Sequence, residues 1–416
     1  MGFVVSLAAG LGVIFSAETL ILLGNGVGQG GIWFLAFLVA GAVLHLFGAF
    51  TLFANFPDPK GETRLLQEGL GNRAALILPF SSRLSFAVIM ATGSVVTAGF
   101  VFNEVFAYWF PNFLFAYLLL GLILAVNLLG RAVWGKFQVL VMLTALLGLI
   151  VLIVPGFALT SPPISTDYQP APFSSLLRTA LVALLLPIGY DLTVFANGES
   201  TSNHKKSPAA AVLLGSLFLL LWGVVSLHWI APSTLAQTTI PYTVTARTIM
   251  GQKGRIIVGI VILAGTAGAV NALFGGVSRM TAAMASAGLL PSFFGDNRCK
   301  GRLTPVFLTA ATSAMLFAGM AGSSHLDAFL RGSLILWLFH YAALHFAHFK
   351  AKRGDCRPRS RCSHLSVSAL LALAALGLLL TDGEKKIVAA FLIVIVGSVV
   401  ILAAWSTGVI RTRRQG

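Results

Sequence analysis

A proline, a glycine and an acid interrupt one of the long apolar runs in this sequence. The run LLPIGYDLTVFANGES, which ends at Ser200, contains Pro187, Gly189 and Asp191. A Pro-Ile-Gly step leaves backbone carbonyl and amide groups without helical partners, because proline lacks the N–H and breaks the helix. Hydrocarbon cannot satisfy these groups, so such a step at membrane depth must line a protected cavity. This run therefore predicts a binding site built largely from backbone atoms.

A second stretch, NALFGGVSRMTAAMASAGLLP from Asn271 to Pro291, ends another long apolar run. It combines small residues, which allow close helix packing, with Arg279 and a Gly-Leu-Leu-Pro exit. Interrupted membrane helices that place a site near the bilayer midplane are typical of secondary transporters. The two stretches together indicate a transporter.

The composition of the chain is that of a membrane protein. Of its 416 residues 57% are hydrophobic and only 10% are charged, whereas a soluble domain is typically about 25% charged. The net charge of +15 does not indicate nucleic-acid binding, because the basic residues lie in short loops between apolar runs, as orientation signals do. The first apolar run begins almost at Met1 and lacks a basic segment before it, so we expect no removable signal.

About 20 apolar residues are needed for each helical crossing, and this rule predicts about twelve spans. We place them at 4–23, 32–55, 82–108, 113–130, 135–156, 177–196, 209–230, 255–285, 303–321, 326–348, 365–380 and 387–409. Most Lys and Arg residues then fall in alternate loops and in the segment after the last span. This asymmetry predicts a multi-pass protein of the cell membrane with both termini in the cytoplasm.

The chain resembles the amino acid–polyamine–organocation permeases over nearly its whole length. Four segments carry this resemblance. They are FPDPKGE (56–62), NLLGRAVWGKFQ (127–138), GYDLTVFANGES (189–200) and the stretch from Asn271 to Pro291, which is the most specific. The length and the abrupt start are also similar to those of the compact neutral and hydrophobic amino acid efflux members. The resemblance implies amino acid transport by alternating access, with an amino acid as the small-molecule substrate, the lipid bilayer as partner and no cofactor besides a coupling ion.

The resemblance also implies an all-α membrane fold of the LeuT type. In that fold five helices are repeated in inverted orientation and two more follow, so we expect repeats at 1–156 and 177–348 and two additional helices within 365–409. The first helix of each repeat is interrupted in that fold. The candidate interruptions here are Gly10-Leu11-Gly12 and Pro187-Ile188-Gly189, which are five spans apart. The first break alternatively falls at Ser16-Ala17-Glu18, because three apolar residues follow Gly12 where the family usually has one.

Two facing breaks are able to bind an α-amino acid without a charged side chain. Half-helix N-termini suit a carboxylate, and unwound carbonyls suit an ammonium group or a coupling cation. The expected substrate-binding residues are Gly10, Leu11, Gly12, Val13, Ser16, Glu18, Pro187, Ile188, Gly189, Tyr190 and Asp191. Tyr190 is expected either to close over the substrate or to pack against the first span.

A further set of residues is expected to couple transport to an ion or to form a gate: Glu18, Asp191, Glu199, Arg279 and Thr266. For each a purely structural role is the alternative, and Arg83 and Arg331 are expected at the membrane interface. Some proton-coupled relatives carry a Lys in the fifth helix, but the stretch from Val139 has none. Coupling to Na⁺, coupling to H⁺ through a carboxylate and simple exchange all stay open.

Other classes of function fit the sequence less well. A channel needs a continuous polar stripe, and an enzyme needs a catalytic cluster at membrane depth; neither pattern is present. The scattered histidines lack the spacing of a metal site. An amine or polyamine transporter is the alternative, but such a site needs several intramembrane acids, for which only Glu18, Glu104 and Asp191 qualify. A neutral or hydrophobic amino acid is therefore the preferred substrate.

Overall fold

The structure is a computed structural model that describes residues 2–56, 59–160, 173–196, 205–294, 302–351 and 358–415. These residues form helices and short connections. The α-helices are α1 Gly2–Ile14, α2 Ala17–Thr51, α3 Pro59–Leu70, α4 Asn72–Pro79, α5 Ser85–Val105, α6 Asn112–Leu128, α7 Arg131–Ala158, α8 Phe173–Ala183, α9 Leu192–Ala196, α10 Ser207–Trp229, α11 Pro232–Gln237, α12 Pro241–Ser286, α13 Leu303–Phe317, α14 Ser324–Ala351, α15 Pro358–Thr381 and α16 Lys385–Gln415.

Within the described residues, seven helical stretches are long and apolar enough to cross a membrane. They are Ala17–Asn55, Asn72–Val105, Arg131–Ala158, Ser207–Trp229, Pro241–Ser286, Cys362–Thr381 and Lys385–Ser406. Shorter apolar helices occur at Gly2–Ile14, Asn112–Leu128 and Leu303–Phe317. The chain is thus an all-helical protein with many apolar spans, and each of the twelve predicted segments overlaps one or more helices.

The first interruption lies between α1 and α2, at Phe15 and Ser16. Ser16 is the N-cap of α2, and its side chain accepts a hydrogen bond from the backbone N–H of Thr19 at 3.2 Å. This is the alternative position suggested by the sequence, whereas the position at Gly10-Leu11-Gly12 is wrong. Gly10 and Gly12 lie inside α1, and the absence of a side chain at these positions allows close packing. A β-carbon on Gly12 would lie 2.9 Å from the carbonyl oxygen of Gly268.

The second interruption separates α8 from α9. Residues 184–191 form consecutive turns instead of a regular helix, around Pro187 and Gly189. Gly189 has a φ of +108°, a conformation that residues with a β-carbon rarely adopt. The non-helical backbone thus lies where the Pro-Ile-Gly step predicts it.

Glycines also bend two of the long helices. Gly31 in α2 has φ +53° and Gly251 in α12 has φ +60°, so each helix consists of two segments that meet at an angle. The connection 231–254, which is hydrophilic in sequence, contains α11 and the first segment of α12. The second segment of α12 is the centre of the bundle, since nearly all its residues from Val258 to Val277 are buried and it packs against α1, α5 and α7.

Candidate functional site

The two interruptions lie face to face. A β-carbon built on Gly189 would be only 2.6 Å from Cβ of Val13, the residue two before the first interruption. The Ser6 hydroxyl donates a hydrogen bond to the Thr193 carbonyl at 3.1 Å, so α1 is also bonded to α9 below the break. Gly10 is in contact with the Thr193 side chain. The close approach of the two backbones therefore depends on glycines at both positions.

Between the breaks the side chains leave little space. A void of only about 10 Å³ lies there, which is room for one water molecule at most. Its lining is apolar except for Glu18 and Thr19, and consists otherwise of Val13, Leu22, Phe86, Met90, Leu185, Leu186, Leu330 and Leu334. A molecule larger than water therefore fits between the breaks only if these side chains move.

The N-terminus of α2 lies beside this void, since Glu18 and Thr19 of its first turn line it. The first-turn amides of α2, including those of Ala17 and Glu18, have no intrahelical partner. On the other side, the carbonyl oxygen of Phe15 contacts Gly265 of α12. The next residue, Thr266, is fully buried, and its hydroxyl makes no hydrogen bond. Amide donors and oxygen acceptors are thus both close to the first break.

A much larger cavity, of about 580 Å³, adjoins the first break. We call it the acidic cavity because Glu18, Glu104 and Asp327 line it. Glu18 lines both the acidic cavity and the small void, so it stands between them. The polar residues of the segment from Ala236 to Thr239 line the same cavity. The acidic cavity therefore extends from the first break toward the Glu104 end of α5.

The opposite side of the breaks is closed by a buried arginine. Arg83 lies in the π-helical turn Phe80–Leu84 just before α5 and is fully buried. Its Nη1 and Nη2 donate to Oε1 and Oε2 of Glu62 at 2.6 and 2.9 Å, and its Nε donates to Oδ2 of Asp191 at 2.9 Å. Two carboxylates, one from α3 and one from the second interruption, are thereby held by one guanidinium, whose planar fork suits bidentate pairing.

Two residues of α14 complete this group. The Tyr341 hydroxyl donates to Oδ1 of Asp191 at 2.6 Å, and Nε2 of His340 lies 3.0 Å from Oε1 of Glu62. We call these five residues (Glu62, Arg83, Asp191, His340 and Tyr341) the Arg83 cluster. Burial alone raises the pKa of Glu62, but the charge of Arg83 and the contact with His340 lower it to about 2. Glu62 is therefore ionised at any physiological pH.

Helix α5 joins the closed and the open sides of the bundle. Arg83 precedes its first turn and Glu104 lies in its last turn, a separation of 21 residues and about 31 Å of helix. Gly93, midway between them, lies against the Glu18 carboxylate. The Arg83 cluster, the breaks and the acidic cavity therefore follow one another along a single helix.

Several sequence expectations for these residues are corrected by the structure. Arg83 is buried instead of lying at the membrane interface, because it neutralises acids from α3 and from the second break. The expectation for Arg331 is not contradicted, since this residue is about a third exposed and binds Asp382 and Glu384. Tyr190 does not cover the void, since its ring contacts His45, Phe53 and Tyr341.

The remaining site candidates divide between packing and polar contacts. Leu11, Pro187 and Ile188 are buried in the core. The guanidinium of Arg279 lies 3.9 Å from the ring centre of Trp134, and no described acid pairs with it. Glu199 lies outside the described residues. Asp191, by contrast, belongs to the Arg83 cluster and does not line the void.

A buried polar network around Asn271, a residue expected to contact an ion or the substrate or else to satisfy local helix carbonyls, ties the scaffold helices together. Asn271 donates to Gln138 at 2.8 Å and accepts from Asn127 at 3.0 Å, while the Gln138 amide donates to the Ala8 carbonyl at 3.0 Å. These bonds join α1, α6, α7 and α12. A buried amide network of this kind fixes how helices pack. The only sequence signal for it is the presence of amides within apolar runs.

Comparison with known proteins gives a consistent result. A model of the amino acid permease family matches residues 1–415. The chain is also similar to YvbW of Bacillus subtilis (strain 168), an uncharacterized amino acid permease, with 24% identity over 318 residues that cover 70% of this chain and 69% of that protein. Broken helices that face each other between a closed and an open side agree with this match. The chain is a multi-pass membrane protein and belongs to the amino acid permease family.

Proposed function

We propose that this protein is a secondary active transporter that carries amino acids across the cell membrane by alternating access. The observation that supports this most strongly is the asymmetry along α5. The acidic cavity reaches the breaks from the Glu104 side, while the Arg83 cluster closes the other side. Alternating access needs a site that is open to one side at a time, and this conformation has that form.

The groups around the breaks suit a neutral or hydrophobic α-amino acid. The first-turn amides of α2 and the positive end of its dipole favour the substrate carboxylate. The carboxylate of Glu18, which faces the same void, is placed to accept from the ammonium group. The aliphatic and aromatic lining of the void then favours an apolar side chain. Binding separates the lining side chains and draws the breaks around the ligand.

The order of elements supports an inverted repeat of five spans followed by two more. Each half begins with a short helix, a break and a second helix. These helices are α1 and α2 in the first half and α8 and α9 in the second. A short helix precedes the third long span in each half, namely α3 in the first and α11 in the second. Helices α15 and α16 follow the second half. This order fits spans within 1–156 and 177–348 with an extension within 365–409.

The oxygen atoms next to the first break favour Na⁺ as the coupling ion. A backbone carbonyl and the Thr266 hydroxyl do not titrate near neutral pH, and hard cations prefer such oxygen ligands. Thr266→Val removes the hydroxyl at nearly constant size, so it should reduce Na⁺-dependent uptake and leave any Na⁺-independent exchange. Thr312→Val, which removes another unbonded buried hydroxyl, is the control. Equal loss in both variants would argue against this ion site.

The transport experiment uses purified protein in lipid vesicles. We expect uptake of labelled L-leucine that depends on an imposed Na⁺ gradient and exceeds that of vesicles without protein. Efflux from preloaded vesicles and exchange are measured in the same preparation, because the direction of transport follows the gradients. Transport of diamines without transport of any amino acid would support the second candidate, an amine transporter, which the three acids of the cavity favour.

Orientation is tested separately. We propose that the Arg83 cluster faces the cytoplasm, together with both termini, because most positive loops lie on that side. Cys362 is exposed on α15 and serves as a native reporter after Cys299 and Cys356 are replaced by serine. An impermeant thiol reagent should label Cys362 in inverted vesicles but not in intact cells. Labelling of Cys362 in intact cells would mean that the orientation is the opposite of the one proposed.

A further inference from the structure

Three buried histidines meet where α14 packs against α15. Nδ1 of His345 lies 2.9 Å from Nδ1 of His364, and the ring centre of His348 lies 4.2 Å from that of His364. His345 and His348 are three residues apart, so they share one face of α14. All three side chains are buried. We call these three residues the histidine joint, because their contacts connect the two helices.

The contact between His345 and His364 limits how many protons the joint holds. For a hydrogen bond between two Nδ1 atoms, one nitrogen must carry a proton and the other must not. A further proton on the accepting nitrogen removes this bond and places two like charges at hydrogen-bond distance. The histidine joint is therefore closed only while at least one of these two rings is neutral.

The titratable neighbours of His345 are themselves histidines. The charges that act on its ring are those of His364, His348 and His45 of α2. Nε2 of His45 lies 2.8 Å from the carbonyl oxygen of Leu184, so this nitrogen carries a proton and donates to the second interruption. Each proton added to a neighbouring ring thus repels the next, and the rings titrate as a coupled group.

The nearest charged and titratable residues of the adjoining elements are exposed or already paired. Glu68 of α3 and Lys350 at the end of α14 are exposed. Tyr341, one turn before His345, donates to Asp191 at 2.6 Å within the Arg83 cluster. Among the described residues, protonation of the histidine joint is therefore governed by its own rings.

The histidine joint adjoins the second interruption through α2. The ring of Phe47 stacks on His345 at 5.8 Å between ring centres and contacts His364 at 5.4 Å. One residue further along α2, a β-carbon on Gly48 would lie 3.0 Å from the Tyr190 hydroxyl and 3.3 Å from Nε2 of His345. Both groups therefore pack against the same point of the α2 backbone. A displacement of His345 changes the support of Tyr190, the residue next to Asp191.

We propose that the histidine joint is a proton-binding site, and that proton binding loosens α15 from α14 beside the second interruption. The site is separate from the void between the breaks and from the acidic cavity, since no histidine lines either of them among the described residues. It lies on the side of the Arg83 cluster, because His345 is one turn from Tyr341. That protons reach it from the cytoplasm rests on the proposed orientation, whereas binding and loosening do not.

Labelling of a buried cysteine beside the joint tests the proposal in the purified detergent-solubilised protein. In a background in which the three native cysteines are serine, Ser368→Cys places a thiol on α15 one turn after His364. Ser368 is buried, and its hydroxyl donates to the Ala342 carbonyl of α14 at 2.8 Å. At each pH the rate of labelling by a water-soluble reagent is compared with that of the same reporter in His364→Asn. The ratio of the two rates cancels the pH dependence of the thiol itself.

The ratio should rise by roughly tenfold or more between about pH 8 and about pH 5.5, the range in which an imidazole titrates, because like charges at this distance open the joint. Asparagine keeps a hydrogen-bonding group near the position of Nδ1 but does not titrate. His345→Asn should therefore label like His364→Asn at every pH. His325→Asn, at an exposed position near the start of α14, is the matched control and should label like the parent.

Melting temperatures at about pH 8 show whether each variant is folded. A ratio that stays constant with pH overturns the proposal, and so does a rise that persists in folded His345→Asn. NMR of the parent protein with ¹⁵N-labelled histidine needs no variant. Buried histidine signals that change from neutral to protonated rings over the same range support the site, and signals that stay neutral down to about pH 5.5 overturn it.

The proton site and the proposed transport fail in different experiments. Labelling is measured without substrate, so a pH-dependent ratio in a protein that transports no amino acid would overturn the proposed function and leave the proton site standing. Amino acid transport with a constant labelling ratio would do the reverse. Where both hold, L-leucine uptake should fall as the pH on the side of the joint is lowered, and His364→Asn should reduce this fall.

Discussion

The guanidinium of Arg83 binds Glu62 through two parallel hydrogen bonds, from Nη1 to Oε1 at 2.6 Å and from Nη2 to Oε2 at 2.9 Å. Both side chains are essentially without solvent exposure. Because Glu62 belongs to α3 and Arg83 precedes α5, this pair fixes a short amphipathic helix over the closed side of the breaks. Movement of α3 away from the bundle must break it.

Arg83→Lys should weaken this closure while keeping the charge. A lysine cannot form the bidentate contact and cannot span both acids with a planar fork. In a background in which the three native cysteines are serine, Ser81→Cys should react faster with a water-soluble thiol reagent when Arg83→Lys is added, because Ser81 is buried beside the cluster. Arg331→Lys, at a partly exposed pair, is the control. No difference between the two would mean that Arg83 does not hold the closed side.

Glu62 should give the protein a characteristic acid sensitivity. Its pKa in the folded protein is lowered from 4.5 to about 2, so the stabilisation it provides is complete above pH 4.5 and is lost as the pH falls toward 2. From the size of this shift, the loss is on the order of 3 kcal/mol. In Glu62→Gln this part of the acid unfolding curve should be absent. The measurement is thermal unfolding of both proteins between pH 7 and 2, and parallel pH profiles would contradict the prediction.

Gly189 should be intolerant of a side chain for two separable reasons. Gly189→Ala places a β-carbon in a positive-φ conformation, which costs about 1–3 kcal/mol, and also presses it against Val13. Gly288→Ala carries the same type of backbone cost, at φ +74°, with open space around it. We therefore expect Gly189→Ala to lose L-leucine-dependent thermal stabilisation and Gly288→Ala to keep it. Val13→Gly, which removes the β-carbon that the new side chain meets, should partly restore Gly189→Ala, and failure of that rescue would mean that the backbone conformation, and not the contact with Val13, causes the loss.

Glu18→Gln should impair amino acid binding more than it impairs folding. The amide keeps the size of the side chain but removes the negative charge that faces the void, and a hydrogen bond to a charged group is worth about 1.5–3 kcal/mol. We expect roughly 10- to 100-fold weaker L-leucine binding by radioligand saturation. Glu68→Gln, which removes an exposed acid from α3, is the matched control. Equal affinities of the parent and Glu18→Gln would remove Glu18 from the site.

The sequence revealed one break more clearly than the other, and the reason is local chemistry. Pro187 and Gly189 disfavour a helix by themselves, so the second break is visible in the residue types. The first break falls at Phe15 and Ser16, where neither residue forbids a helix. Gly10 and Gly12 resembled a break but serve to bring α1 close to its neighbours. A glycine in a membrane helix occurs both at breaks and at close contacts between helices, and only the tertiary contacts distinguish the two.

The Arg83 cluster lay beyond sequence reasoning for a different reason. Arg83 is 21 residues from Glu62 and 108 from Asp191 along the chain, so no local pattern pairs them. An arginine within an apolar run was nevertheless a signal, because an ionisable residue at membrane depth is functional by default. Glu18 was found by that rule, since it followed a candidate break. Arg83 was missed because it was assigned to the membrane edge.

The charges of the Arg83 cluster do not cancel. It contains the two carboxylates of Glu62 and Asp191 and the single guanidinium of Arg83. If His340 is neutral, the cluster carries one negative charge, and any rearrangement that carries it across part of the bilayer moves charge through the membrane potential. A full crossing of one elementary charge is worth about 2.3 kcal/mol per 100 mV, and a partial crossing a fraction of that. Under the proposed alternating access, a transition that moves this cluster through part of the membrane is therefore expected to sense voltage even when the substrate itself has no net charge.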